Sequence, residues 1–120
     1  MNYIIYHNPR CRISREALKL IEEKNKNFTV IKYLDDNFDE KSLKKVLEII
    51  SKKPSDILRK NEEIWKKQFS NKNLREDQIL AILVKNPKLI ERPIVTFGKN
   101  GIVARPIEKL IDFLEEHKPS

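Results

Sequence analysis

A strand, a helix and a second strand follow one another within the first 34 residues, and no other feature of the chain constrains its fold as much. Asn2 to Tyr6 is β-branched and aromatic, the composition of a buried strand. His7 to Arg10 is a loop, with Asn8-Pro9 as its turn signal. From Cys11 to Lys24 the apolar residues Ile13, Ala17, Leu20 and Ile21 recur at helical spacing. Asn25-Lys26-Asn27 ends that helix, and Phe28 to Leu34 reads as the second strand. Two strands joined through a helix cannot form a hairpin. The crossover makes them parallel and right-handed.

Beyond Leu34 the period is helical for about 50 residues. Asn37 or Asp39 is placed to cap a helix whose stripe is Leu43, Val46, Leu47 and Ile50. Ser51 to Pro54 breaks it, and Ser55 to Asn61 reads as a short helix or turn. Helices are expected over Glu62–Phe69, with Ile64, Trp65 and Phe69 as core anchors, and over Glu76–Lys85, with Ile79, Leu80, Leu83 and Val84 inward. Asn86-Pro87 ends the second of these, or bends it into a last turn through Leu89. The period then returns to that of strands. Pro93 to Phe97, a Gly98–Gly101 turn and Ile102 to Arg105 form an antiparallel hairpin. Pro106 suits the first position of a final helix with Ile107, Leu110, Ile111 and Leu114 on one face. The expected fold is α/β: a thioredoxin-like mixed β-sheet with flanking helices, and a helical insert between the βαβ and ββα halves. It forms a single domain over residues 1–120, with the insert at about 38–90.

Composition excludes several functions. The one cysteine cannot form an internal disulfide, and no metal-ligand cluster is expected from one cysteine and two distant histidines. No run approaches the roughly 18 apolar residues of a membrane span, and Met1-Asn2-Tyr3 is not the start of a signal peptide. These features favour the cytoplasm. The net charge of +7 points to anionic partners, but the lysines are spread over helical segments as a solvated surface. Nucleic acid is therefore a weak candidate, with no recognition helix and no stacking platform.

Chemistry concentrates at the strand-to-helix junction. A cysteine at a helix N-terminus meets unpaired backbone N–H groups and the positive end of the helix dipole. Near cations its pKa falls from about 8.5 to roughly 3.5–7.5, and His7, Arg10, Arg12 and Arg15 are close in sequence. The same geometry binds oxyanions. A lone cysteine is otherwise a small buried hydrophobe, but flanking arginines resist burial. Competing structural readings exist for the rest. Arg59 can cap a helix or pair with Asp56 or Glu63, His7 can be a packed polar residue, and His117 lies in a last turn expected to fray.

The run His7-Asn8-Pro9-Arg10-Cys11-Arg12-Ile13-Ser14-Arg15 resembles the active-site signature of the arsenate reductase (ArsC) family, the thioredoxin-like, glutaredoxin-coupled type. Leu58-Arg59-Lys60-Asn61, the segment Asn86 to Val95 and Ala104-Arg105-Pro106 resemble further family segments in the same order. The resemblance implies that Cys11 is the nucleophile, tuned by His7, and that Arg59, Arg92 and Arg105 bind an oxyanion. Ser14 stands where a second redox cysteine would sit, and Ser14, Asn8, Arg15 and Pro93 are supporting candidates. It also implies a cis Arg92-Pro93 bond.

What the resemblance implies is reduction of arsenate to arsenite, with no bound cofactor, glutathione as thiol co-substrate and a glutaredoxin as partner. A tetrahedral polyanion suits bidentate guanidinium groups, which neutralise it before a thiolate attacks. Two other readings stay open: a monothiol redox protein with another substrate, and an Spx-type regulator that binds RNA polymerase. Ser14 in place of a second cysteine weighs against an internal redox switch in the latter.

Overall fold

A computed structural model describes residues 2–24 and 27–117, and its contacts divide the chain into two compact units, Met1–Asp36 with Arg92–Ser120, and Asn37–Glu91. The expected end of the first helix at Asn25-Lys26, and the tail from Lys118, lie outside the described residues.

The first unit holds a mixed sheet of four strands: β1 (Tyr3–Tyr6), β2 (Phe28–Ile31), β3 (Ile94–Phe97) and β4 (Asn100–Val103), in the order β2-β1-β3-β4. β1 pairs in parallel with β2 and antiparallel with β3, and β3 pairs antiparallel with β4. The α/β fold with a mixed sheet is as expected. Alternation along the strands sorts the side chains onto two faces. Tyr3, Ile5, Phe28, Val30, Val95, Phe97 and Ile102 share one face, and onto it pack α1 (Arg12–Lys24) and α5 (Ile107–Glu116). Ala17 and Ile21 of α1 and Leu110, Phe113 and Leu114 of α5 complete this core.

Several boundaries differ from the sequence reading. β2 stops at Ile31 because β1, its neighbour in the sheet, stops at Tyr6. Lys32 to Asp35 then closes a turn, with Asp35 N–H donating to Lys32 O. The buried stripe of α1 is Ser14, Ala17 and Ile21, while Ile13 and Leu20 lie at its edges. The hairpin turn is the pair Gly98-Lys99, since Phe97 already faces Asn100, and Gly98 takes the positive φ of 61° that such a turn favours. Pro106 is the cap residue before α5 and not its first helical residue, with an extended ψ of 172°. His117 is not loose. Its carbonyl accepts from Tyr3 Oη, and its ring lies 4.4 Å from that of Phe113.

The second unit is helical: α2 (Glu40–Ile50), a 3-10 turn at Pro54–Ile57, α3 (Glu63–Gln68), α4 (Glu76–Lys85) and a 3-10 turn at Pro87–Leu89. Asp39 caps α2 by accepting from Ser42 N–H at 2.7 Å, and Ser42 Oγ accepts from Asp39 N–H at 3.0 Å. Ser51 ends α2 in the left-handed region, at φ 56°. Leu43, Val46, Leu47 and Ile50 are buried, as are Trp65, Ile79 and Leu83, whereas Leu80 and Val84 are half-buried. Leu58 and Ile90 form an antiparallel bridge that fastens the two 3-10 segments together. No helix among the described residues is long and apolar enough to cross a membrane.

Leu110 is fully buried in the first unit's core. Truncation by Leu110→Ala is expected to cost about 2–5 kcal/mol of unfolding free energy. Urea denaturation measures it, and a loss of only a few tenths would mean that α5 does not carry this core.

Candidate active site

Strand register assembles the site. The β1–β3 ladder ends at Tyr6 and Ile94, two residues short of Asn8 on one strand and of Arg92 on the other. The β3–β4 ladder ends at Ile94 and Val103, two residues short of Arg92 on one strand and of Arg105 on the other. One bond follows that ladder, from Ala104 N–H to Pro93 O at 2.8 Å, before Arg105 N–H turns back to Val103 O at 2.9 Å. Arg105 Nη1 donates to Arg92 O at 3.4 Å. The Arg92-Pro93 and Arg105-Pro106 bonds are both cis.

Cys11 stands one residue before α1, and its carbonyl accepts the first helical bond, from Arg15 N–H at 3.0 Å. It therefore occupies the N-cap. The N–H groups that a capping oxygen would satisfy, on the second and third helical residues, are those of Ile13 and Ser14. Both donate to the Cys11 sulfur. The first turn of α1 carries no acidic residue to compete for them. Burial of Cys11 pushes its thiol up. Against this, the Ser14 N–H, then the hydrogen bond and charge of Arg92, then the Ile13 N–H favour the thiolate, and the net shift is downward. The thiolate form is thus favoured in a mostly buried place.

The arginines next to the cysteine in sequence act elsewhere. Arg12 pairs with Glu16 at 3.7 Å on the exposed side of α1. Arg15 Nη1 donates to Pro9 O at 2.9 Å, bracing the loop. Arg10 is exposed, and its N–H donates to Asn8 Oδ1 at 3.0 Å. A cation at the sulfur is Arg92, whose Nε is buried and has no hydrogen-bond partner among the described residues. A buried, unsatisfied guanidinium donor costs free energy unless an acceptor arrives. Arg59 belongs to the second unit. There its Nε lies 3.8 Å from Glu91 and its Nη1 3.9 Å from Glu62, rather than against Asp56 or Glu63. Its N–H donates to Leu89 O at 2.8 Å.

Asn8 is the knot of the loop. Its carbonyl accepts from Cys11 N–H at 3.0 Å, and its N–H donates to Ser14 Oγ at 3.0 Å. His7 is buried, its N–H donates to Ile31 O at 2.8 Å, and its Nδ1 lies 2.6 Å from Ser14 Oγ. Burial lowers the His7 pKa, and the charges of Lys32 and Arg15 lower it further. His7 is therefore neutral, and we assign Nδ1 as the acceptor of the one Ser14 hydroxyl proton. The sequence reading did not find this His7–Ser14 contact. A signal existed: Ser14 shares the buried face of α1 with Ala17 and Ile21, where a hydroxyl needs a partner. Among the described residues, no three His, Cys, Asp or Glu side chains are grouped to hold a metal ion.

Two outcomes follow. The pH midpoint of Cys11 alkylation by iodoacetamide should lie below that of an ordinary thiol, and Arg92→Ala should raise it. An unchanged midpoint in Arg92→Ala would remove Arg92 from the sulfur. For His7, a folded-state pKa below the unfolded value means that the unfolded chain binds the proton first. Its contribution to stability is complete well above about pH 6.5 and is lost on acidification through the folded pKa. His7→Asn should flatten the decline in unfolding free energy measured from pH 7 downward.

Comparison with known proteins matches this arrangement to a family. The ArsC family's sequence profile matches residues 6–113. An uncharacterised protein of Escherichia coli K12, YfgD, is 34% identical over 112 residues, covering 92% of this chain and 94% of its own. The arsenate reductase of Neisseria meningitidis serogroup A is 36% identical over 108 residues, covering 88% and 92%. The solved structure of the arsenate reductase from Vibrio cholerae superposes with a TM-score of 0.86 at 34% identity, covering 93% of this chain and 97% of its own. The span of the match takes in both halves of the sheet and the helices between, and the chain belongs to the ArsC family.

Proposed function

We propose that the protein is an arsenate reductase that works with one nucleophilic cysteine, glutathione and a glutaredoxin. The observation that carries this reading is the Cys11 sulfur, whose thiolate form is favoured by two backbone N–H groups and by Arg92, a side chain whose Nε has no partner among the described residues. An oxyanion supplies the missing acceptor. Arg92 and Arg105, side by side through the hairpin register, lower the charge of the incoming polyanion and hold it for attack. The arsenate reductases among the relatives support the choice of substrate.

The chemistry runs in three steps. Cys11 thiolate attacks arsenic, a sulfur–arsenic(V) bond forms, and an arsenate oxygen leaves as water after protonation. Glutathione thiolate then attacks the Cys11 sulfur. The sulfur–arsenic bond breaks with its electron pair going to arsenic, which leaves as arsenite, while Cys11 and glutathione are joined as a mixed disulfide. Glutaredoxin thiolate takes the glutathionyl group and restores Cys11. With one cysteine in the chain, no internal disulfide can perform that last step. A second glutathione regenerates the glutaredoxin, so the reaction belongs in a reducing compartment such as the cytoplasm. No bound cofactor takes part.

The test is arsenate-dependent loss of NADPH with glutathione, glutaredoxin and glutathione reductase. Turnover is expected, and Cys11→Ser should abolish it. Arg92→Ala and Arg105→Ala should each lower kcat/KM for arsenate by about tenfold to a hundredfold, the loss of one charge-assisted hydrogen bond. A folded protein with a reactive Cys11 but no arsenate turnover would defeat the substrate assignment.

A further inference from the structure

The second unit holds a cavity of about 470 Å³ between the end of α2, the 3-10 turn at Pro54–Ile57 and the start of α4. That volume falls in the range of about 300–1,000 Å³ typical of small-molecule sites. Leu47, Pro54 and Leu80 give it an apolar floor, and the exposed lysines Lys44, Lys52 and Lys53 stand around it. Its walls are tied together. Ser55 N–H and Ser55 Oγ donate to the two carboxylate oxygens of Glu76, at 2.9 and 2.8 Å, which fastens the 3-10 turn to the first turn of α4. Lys53 N–H donates to Asp56 Oδ2 at 2.8 Å and closes that turn. At the end of α2, Ser51 N–H donates to Glu48 O at 3.2 Å and Lys52 N–H to Leu47 O at 3.0 Å. Those two carbonyls are therefore satisfied and do not stand bare beside the cavity.

Charge selects the ligand. Among the described residues, no ion pair or hydrogen bond engages the ammonium groups of Lys44, Lys52 and Lys53. The acids at the cavity are mostly committed. Glu76 is held by Ser55, and Asp77 lies 3.1 Å from Arg75 Nε, which leaves Glu48. Uncommitted cations thus outnumber uncommitted acids above an apolar floor. Lysine suits such a mouth, because its stem covers apolar surface while its ammonium stays in water. We propose that this cavity binds a small amphipathic carboxylate. The apolar chain of the ligand lies along Leu47, Pro54 and Leu80, and its carboxylate meets the lysines. The site shares no lining residue with the thiol chemistry proposed above and does not rest on it.

The experiment titrates the full chain with hexanoate, octanoate and decanoate, each below its micelle-forming concentration. Isothermal calorimetry reads affinity, and amide NMR spectra of the same samples read location. Affinity should rise by up to about fourfold per added methylene, and the shifted amides should centre on Leu47, Ser51 and Leu80. Lys44→Glu/Lys52→Glu should weaken decanoate by about tenfold or more. Leu80→Gln should reduce the gain from each added methylene. Decyltrimethylammonium, the same tail with the opposite charge, should not shift these amides. Absence of binding at every chain length would overturn the proposal. So would an unchanged decanoate affinity in the charge-reversed variant, equal binding of the cationic tail, or shifts centred on Cys11 and Arg92. Should Leu80→Gln not fold, the charge-reversed variant still decides, since both of its side chains are exposed.

Discussion

β1 is hydrogen-bonded on both sides, and the candidate site takes its form from that. Its parallel pairing with β2 requires a crossover, which places α1 directly after β1 and makes the junction between them a helix N-terminus. Its antiparallel pairing with β3 fixes which distant residue faces the junction. A slip of one residue in that register would turn Tyr3, Ile5, Val95 and Phe97 away from the core on α1 and α5. The hydrophobic pattern that holds the sheet together thus also brings the ends of β1 and β3, just before Asn8 and just after Arg92, to one edge of the sheet. The β3–β4 hairpin brings Arg105 near Arg92, whose carbonyl accepts from Arg105 Nη1 at 3.4 Å. Core and site rest on one set of strand pairings.

At the sulfur, two opposed effects of burial meet. Removing Cys11 from water disfavours the anion, and that is the largest single influence on it. The same exclusion of water strengthens the helix N–H groups and the Arg92 guanidinium, because less solvent screens them. The donors win, since three of them converge on one atom. Two of the three are backbone groups that any helix leaves unpaired at its start. The only special requirement is that the capping residue be a cysteine and that the turn be held still. Asn8 supplies the holding through its carbonyl and its N–H, and Arg15 braces the turn at Pro9.

Local signals made much of this legible. The bounds of α4 match its periodicity, Glu76–Lys85, because a polar start and Asn86-Pro87 mark both ends. The strand–loop–helix order placed Cys11 at a helix start, and the resemblance to family segments singled out Arg92 and Arg105. What sequence could not settle was set by partners distant in the chain. β2 is shorter than its β-branched run because β1 offers no further strand to pair with. The pairing of Arg59 with Glu91 depends on the bridge between Leu58 and Ile90. His117 looked like a fraying end, yet its carbonyl receives the hydroxyl of Tyr3 from the other end of the chain.

The arginines show why proximity in sequence misleads about charge. Arg10, Arg12 and Arg15 bracket Cys11, but a side chain leaving the first turn of a helix at a position outside the buried stripe heads for solvent. Arg12 does so and finds Glu16. The positions of that turn which do point inward must hold something small, and Ser14 and Ala17 are small. A lysine or arginine at position 14 would bring its charge into the core, while a serine brings only a hydroxyl that His7 and Asn8 satisfy. The cation therefore has to come from another strand, and register brings Arg92. Under the proposed chemistry the same crowding bears on turnover. Ser14 holds the place where a second redox cysteine would sit, so the second thiol is delivered from outside the chain.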